Sequence, residues 1–168
     1  MLQISEINYI VTVVLALIVF TVMRVGKQSI KKACAAGLTV SYMYFVLAVT
    51  VLSRGPTEHP FNWFPPFWAY TEIIKRSSIA GSLAKQIIMN IFMLAPLGFL
   101  IPIAINRNPL PVGIVFSLLI ETLQYVTKRG YFELDDLIHN AIGVFLGYLL
   151  YQFIKNAIKN KPEKKNEP

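Results

Sequence analysis

Apolar positions in this chain come in long runs separated by short polar connections. Five runs, 7–23, 33–53, 86–105, 111–127 and 137–154, reach or approach the roughly 17–25 residues a helix needs to cross a bilayer. The pattern predicts an all-α, polytopic membrane helical bundle of about five transmembrane helices. The fourth run is the weakest, because Glu121 and Gln124 lie inside it; a half-inserted or re-entrant segment is the alternative there. Three units are expected: two N-terminal transmembrane helices over 1–54, a core over 55–154 made of an outer aromatic loop and three transmembrane helices, and a disordered basic tail over 155–168.

Composition sharpens the class. Hydrophobic residues make up 55% of the chain and charged residues 15%, against about 25% charged in ordinary soluble domains. The net charge of +7 does not point to nucleic acid, because the basic residues sit at the ends of apolar runs rather than on one recognition element. Ten Lys and Arg fall on the side of the 24–32 connection, Arg107 and the tail, and six on the other side. The positive-inside rule then places the N-terminus outside and the C-terminus in the cytoplasm. The start, "MLQISEINY", lacks a basic n-region, and no A-x-A-like site follows the first run, so that run is expected to stay as a signal anchor. The single cysteine, Cys34, excludes an intrachain disulfide and reads as a small packing residue.

This orientation puts the 54–85 loop and the stretch "RGYFELDDLIHN", residues 129–140, on the outer side. Asn90, Gln124 and Asn140 lie toward the same side of three different helices, which implies a shared pocket. Ser117, Glu121, Gln124 and Lys128 are spaced by four, three and four, so they share one helix face. A carboxylate facing lipid is costly, and Glu121 is expected to face protein or a water-filled cavity. Asp136, Asn140, Gly143 and Gly147 repeat the spacing on the last helix. Gly143 and Gly147 form a small-xxx-small surface, and this face is expected to dock on the Glu121/Gln124 face. Pro96 and Gly98 shape the third span.

Asp135 and Asp136 stand where the last helix should begin, a position that favours capping carboxylates. Arg129 is their expected counter-ion, and its fork geometry also suits phosphate. His139 lies four residues after Asp135, a spacing compatible with a metal, but no second His or Cys is near, so neither a metal nor a cofactor is expected. "HPFNWFPPFWAY" carries Asn62, Trp63, Pro65, Phe67 and Trp68. Its rings suit the membrane interface and its prolines a stiff segment lying on the surface or lidding the pocket.

Asn90 with "APLGFLIP", then "SLLIETLQ", then "RGYFELDDLIHNAIGVFLGY" together resemble the VanZ-like membrane proteins. The matching positions are Asn90, Pro96, Gly98, Glu121, Gln124, Arg129, Asp135, Asp136, Asn140, Gly143 and Gly147. "FNWFPPF" is similar to the family's N-x-x-P-F loop, with an extra Pro66. The resemblance runs from about 62 to 151 and implies a bacterial plasma-membrane protein. The family's namesake contributes to teicoplanin resistance.

The expected function is therefore binding at the cell envelope. An outward-facing pocket of Asn90, Glu121, Gln124, Arg129, Asp135, Asp136 and Asn140 would take a lipid headgroup, a cell-wall precursor or a glycopeptide-type antibiotic, with membrane lipids as the surrounding partners. A membrane enzyme with Glu121 as general base is the alternative. A transporter built from repeats is disfavoured, because five spans show no repeated halves.

Overall fold

In lipid a backbone must satisfy its own hydrogen bonds, and a helix does so within one segment. The computed structural model, which describes residues 5–57 and 63–160, is helical wherever the sequence is continuously apolar. The described elements are α1 (Glu6–Val25), α2 (Ile30–Leu47) with a π-helical turn at its end (Ala48–Leu52), β1 (Trp63–Phe64), α3 (Trp68–Lys75), α4 (Ser77–Ile105), α5 (Leu110–Val126), β2 (Phe132–Glu133) and α6 (Leu134–Lys159). Asn62 and the tail from residue 161 onward fall outside the described residues.

Among the described residues, α1, α2 with its π turn, α4 and α6 are long and apolar enough to cross a membrane. The protein is a multi-pass all-α bundle. The fourth expected span, α5, has 17 residues, about 25 Å at 1.5 Å per residue, against a hydrocarbon core of about 30 Å. It starts where α4 ends and delivers the chain to β2, which pairs in parallel with β1 from the α2–α3 connection. Two helices are longer than their apolar runs suggest: α4 begins nine residues before position 86 and α6 three before position 137.

A core of Val46, Leu94, Leu97, Ile101, Phe116, Ile120 and Val144 joins α2, α4, α5 and α6. The expected partner of the glycine seam is corrected. Gly143 and Gly147 pack on α4, not on α5: a Cβ on Gly143 would lie 2.0 Å from the Ile91 carbonyl oxygen, and one on Gly147 1.9 Å from that of Ala95. Gly98 answers from α4, where an added Cβ would lie 2.0 Å from the Val144 carbonyl oxygen. Three glycines thus let two backbones touch directly. The same stripe of α6 also meets α5, where Asn140 donates from Nδ2 to the Ser117 hydroxyl at 2.8 Å. One stripe of one helix serves two partners. α1 contributes no buried residue and leans on α2, which it approaches closely at Gly37, where an added Cβ would be 2.8 Å from the Ala16 carbonyl oxygen.

Candidate functional site: a polar cavity at one end of the bundle

One end of the bundle is tied by contacts between distant segments. Trp63 pairs with Phe132 and Phe64 with Glu133, and the Thr57 backbone N–H donates to the Lys128 carbonyl at 2.8 Å. Phe64 stacks on Trp68, with ring centroids 4.3 Å apart, and takes the edge of Tyr131 at 5.3 Å. The aromatic segment therefore packs on itself and on β2. None of its described residues, 63–75, lines the cavity beneath. It still presents an apolar face outward, with Phe67, Tyr70 and Ile74 exposed.

Behind this tie lies a cavity of about 600 Å³. Arg54 enters it from beyond α2, Gln86 and Asn90 from α4, Gln124 from the end of α5, Arg129 from the turn after it, Glu133 from β2 and Asp136 from the start of α6. Gln86 and Asn90 are four apart and so share a helix face. The lining carries both signs of charge and three side-chain amides, an inventory suited to a polar ligand and unsuited to a hydrocarbon. Adjoining it, between α2 and α4, is an apolar groove of about 440 Å³ lined by residues such as Phe45, Val49, Met89 and Met93; Arg54 and Asn90 line both spaces.

The cavity is stiffened by bonds among its own walls. The π turn at the end of α2 leaves carbonyls to be satisfied. Gln124 donates to the Thr50 carbonyl at 3.1 Å, and Arg129 to those of Val51 and Leu52 at 3.3 and 2.8 Å. The expectation that Arg129 is the counter-ion of Asp135 or Asp136 is thereby corrected. A cation at a helix C-terminus is favoured by the dipole, and Arg129 takes that place. Arg76, between α3 and α4, pairs instead with Glu72 of α3 at the surface.

The expected site residues divide in two. Asn90, Gln124, Arg129 and Asp136 line the cavity, whereas Glu121, Asp135 and Asn140 do not. Each of those three is buried behind it with a structural partner. The Glu121 carboxylate accepts the Glu133 backbone N–H at 3.0 Å, so it holds the residue immediately before α6. Asn140 bonds Ser117 as described. Asp135, 1% exposed, accepts the backbone N–H groups of Phe67 and, at 3.2 Å, Ala69. It caps α3, not its own helix, where a capping role was expected. Adjacent helix positions point about 100° apart, which is why Asp135 and Asp136 serve different neighbours. Beside Asp135, His139 bonds the Tyr70 hydroxyl at 2.7 Å, fastening α3 to α6 a second time. No three His, Cys, Asp or Glu side chains among the described residues gather as a metal site.

Three charged or amide side chains of the lining, Arg54, Gln86 and Glu133, were not foreseen there. Gln86 was legible, since it lies one helical turn before Asn90. Glu133 was visible as a charge in a loop, but only β pairing turns it inward. Its carboxylate accepts from Gln86 at 3.3 Å. Burial, then the neighbouring Asp136 carboxylate, pushes its pKa up to about 7. Arg54 carried no signal beyond a charge at the end of an apolar run.

Four helices long and apolar enough to cross a membrane, with a polar cavity at one end of their bundle, mark a multi-pass membrane protein. The VanZ/LLP1 family model matches residues 9–155. The chain belongs to this family, and the match takes in the first two helices as well as the motif-bearing core. Comparison with curated proteins and with solved structures gives no match.

Proposed function

We propose that this protein binds an amphiphile of the bacterial cell envelope and holds its polar head in the cavity between α4 and the start of α6. The candidate heads are a lipid headgroup, a lipid-linked cell-wall precursor and a glycopeptide-type antibiotic such as teicoplanin. One observation carries the reading: Arg54, Arg129, Glu133 and Asp136 converge with Gln86 and Asn90 on one cavity of about 600 Å³, within a size range typical of small-molecule sites. The Lys and Arg distribution supports an outward-facing cavity in the plasma membrane, with the N-terminus outside and the C-terminus in the cytoplasm.

The test is native mass spectrometry of the full chain taken from its membrane, beside Asp136→Asn and Arg54→Gln. Both variants are expected to lose lipid that the wild type retains. Identical lipid, in identical amounts, on all three proteins would overturn the assignment. Teicoplanin titrated in parallel decides the resistance role: binding that Asp136→Asn weakens assigns it, and equal binding removes it.

A second reading is a membrane enzyme that modifies a lipid-linked substrate. Glu133, with its pKa near neutrality and its side chain in the cavity wall, suits a general base better than Glu121, which sits behind it. Envelope lipids compared by mass spectrometry with and without the Glu133→Gln variant decide this point, and identical lipid profiles would remove it.

A further inference from the structure

The apolar groove between α2 and α4 has no role in the account so far. Its lining includes Tyr42, Phe45, Val49, Met89, Phe92 and Met93. Two of these, Met89 and Phe92, are well exposed, as expected of a groove that opens toward lipid. Lipid tails are as apolar as the groove, so solvent exclusion alone selects nothing here. Selection has to come from the polar end.

That end is shared. Arg54 and Asn90 line the polar cavity and the groove alike, so the two spaces meet at a guanidinium and an amide. The Asn90 amide nitrogen lies beside the Asp136 carboxylate, yet it is buried without a hydrogen bond of ordinary geometry. Lining the cavity but not the groove, Glu133, Asp136 and Gln86 present acceptors, while the Arg129 guanidinium there is held by the Val51 and Leu52 carbonyls. From groove to cavity the sequence is hydrocarbon, then cation, then carboxylates.

A ligand complementary to that order carries an apolar chain, then a phosphate, then a hydrogen-bonding cation. Arg is suited to phosphate, which it binds through paired N–H donors. Two carboxylates with amides beside them suit a primary ammonium, which offers three N–H donors. A quaternary ammonium has no N–H to offer, and a glycerol headgroup has no positive charge. We propose that the protein takes a phospholipid with a primary-ammonium headgroup, phosphate at Arg54, ammonium between Glu133 and Asp136, and one acyl chain in the α2–α4 groove. This rests on the cavity as a headgroup site and names the class of head and the path of the tail.

The experiment uses the full chain in vesicles doped with phosphatidylethanolamine that bears a photoreactive diazirine in its acyl chain. Vesicles doped with phosphatidylcholine or phosphatidylglycerol bearing the same label run beside them. After illumination the labelled peptides are mapped. The ethanolamine lipid is expected to label peptides carrying Val49, Met89 and Met93 at least fivefold more than the other two. Arg54→Gln and Asp136→Asn are each expected to cancel that excess, and α1 labels alike with all three lipids as the internal standard. Equal labelling of the groove by the three lipids overturns the proposal. If Asp136→Asn still loses retained lipid in native mass spectrometry while groove labelling stays even, the headgroup cavity stands and the chain path falls. If both measurements are flat, both readings fall.

Discussion

Gly147→Ala is the sharpest probe of the bundle. The added methyl carbon would sit 1.9 Å from the Ala95 carbonyl oxygen, 2.9 Å from its carbon and 3.2 Å from the Gly98 Cα. An ordinary close C···O contact is about 3.3 Å, so α6 and α4 must part by roughly 1.4 Å at this point. The obstacles are backbone atoms on a helix whose own hydrogen bonds hold them, so no side chain can swing aside. Overpacking costs about 1–3 kcal/mol, and a contact between backbones belongs at the upper end. Alanine returns up to about 1 kcal/mol through its better helix propensity, leaving a net loss of about 2 kcal/mol. For a chain of this size each kcal/mol moves the Tm by about 2–4 °C, which predicts a fall of about 4–8 °C for the purified protein in detergent, read by intrinsic fluorescence. Gly81→Ala is the control. It lies in α4 with no atom within 4 Å of an added Cβ, so its Tm is expected to hold or rise. If the two alanine variants melt together, direct backbone contact between α4 and α6 is refuted.

Two further outcomes follow from the cavity walls. Glu133 has a folded pKa of about 7, above its ordinary value, so the native state holds its proton more tightly than the unfolded chain. Its burial therefore costs nothing below about pH 4, and stability falls as pH rises through 7, by about 3 kcal/mol once fully ionised; Glu133→Gln is expected to flatten Tm against pH between 5 and 8, and an unchanged slope would refute the assignment. Asp135→Ala removes the acceptor of two backbone N–H groups at the start of α3, an expected loss of about 2–4 kcal/mol. Hydrogen exchange over 67–75 is expected to rise with little change in α1, and protection equal to wild type would show that Asp135 does not hold α3.

The bundle was readable because long apolar runs leave a backbone no other choice. The site was readable in part, and the reason lies in what helical spacing encodes. Spacing by four and three assigned Asp136, Asn140, Gly143 and Gly147 to one face, and they do share it. It did not reveal which neighbour that face would meet. The glycines found α4 and Asn140 found α5, because a helix packed between two others divides one stripe between them. For the same reason Glu121 and Gln124, three apart, have different fates: Gln124 reaches the cavity wall and the α2 carbonyls, while Glu121 turns to the backbone of Glu133. Charge invited a pairing of Arg129 with the aspartates, but the open carbonyls at the π turn of α2 compete for it, and a π turn has no simple sequence signature. Glu133 reaches the cavity through the β1–β2 pairing, a long-range event that local patterning does not carry, and Arg54 follows the π turn of α2.

That pairing has a consequence for how the protein is made. Trp63 and Phe132 are 69 positions apart, and α1 through α5 all leave the ribosome before Phe132 does. The wall formed by Arg54, Gln86 and Asn90 is thus made first and waits, open on one side, for β2 and α6. Glu133 and Asp136 arrive last, together with the glycines that lock α6 onto α4. A chain interrupted between α5 and β2 holds most of its apolar length and still lacks Glu133 and Asp136 of the cavity wall. A complete cavity is therefore a signature of completed insertion, closed by the last helix in the chain.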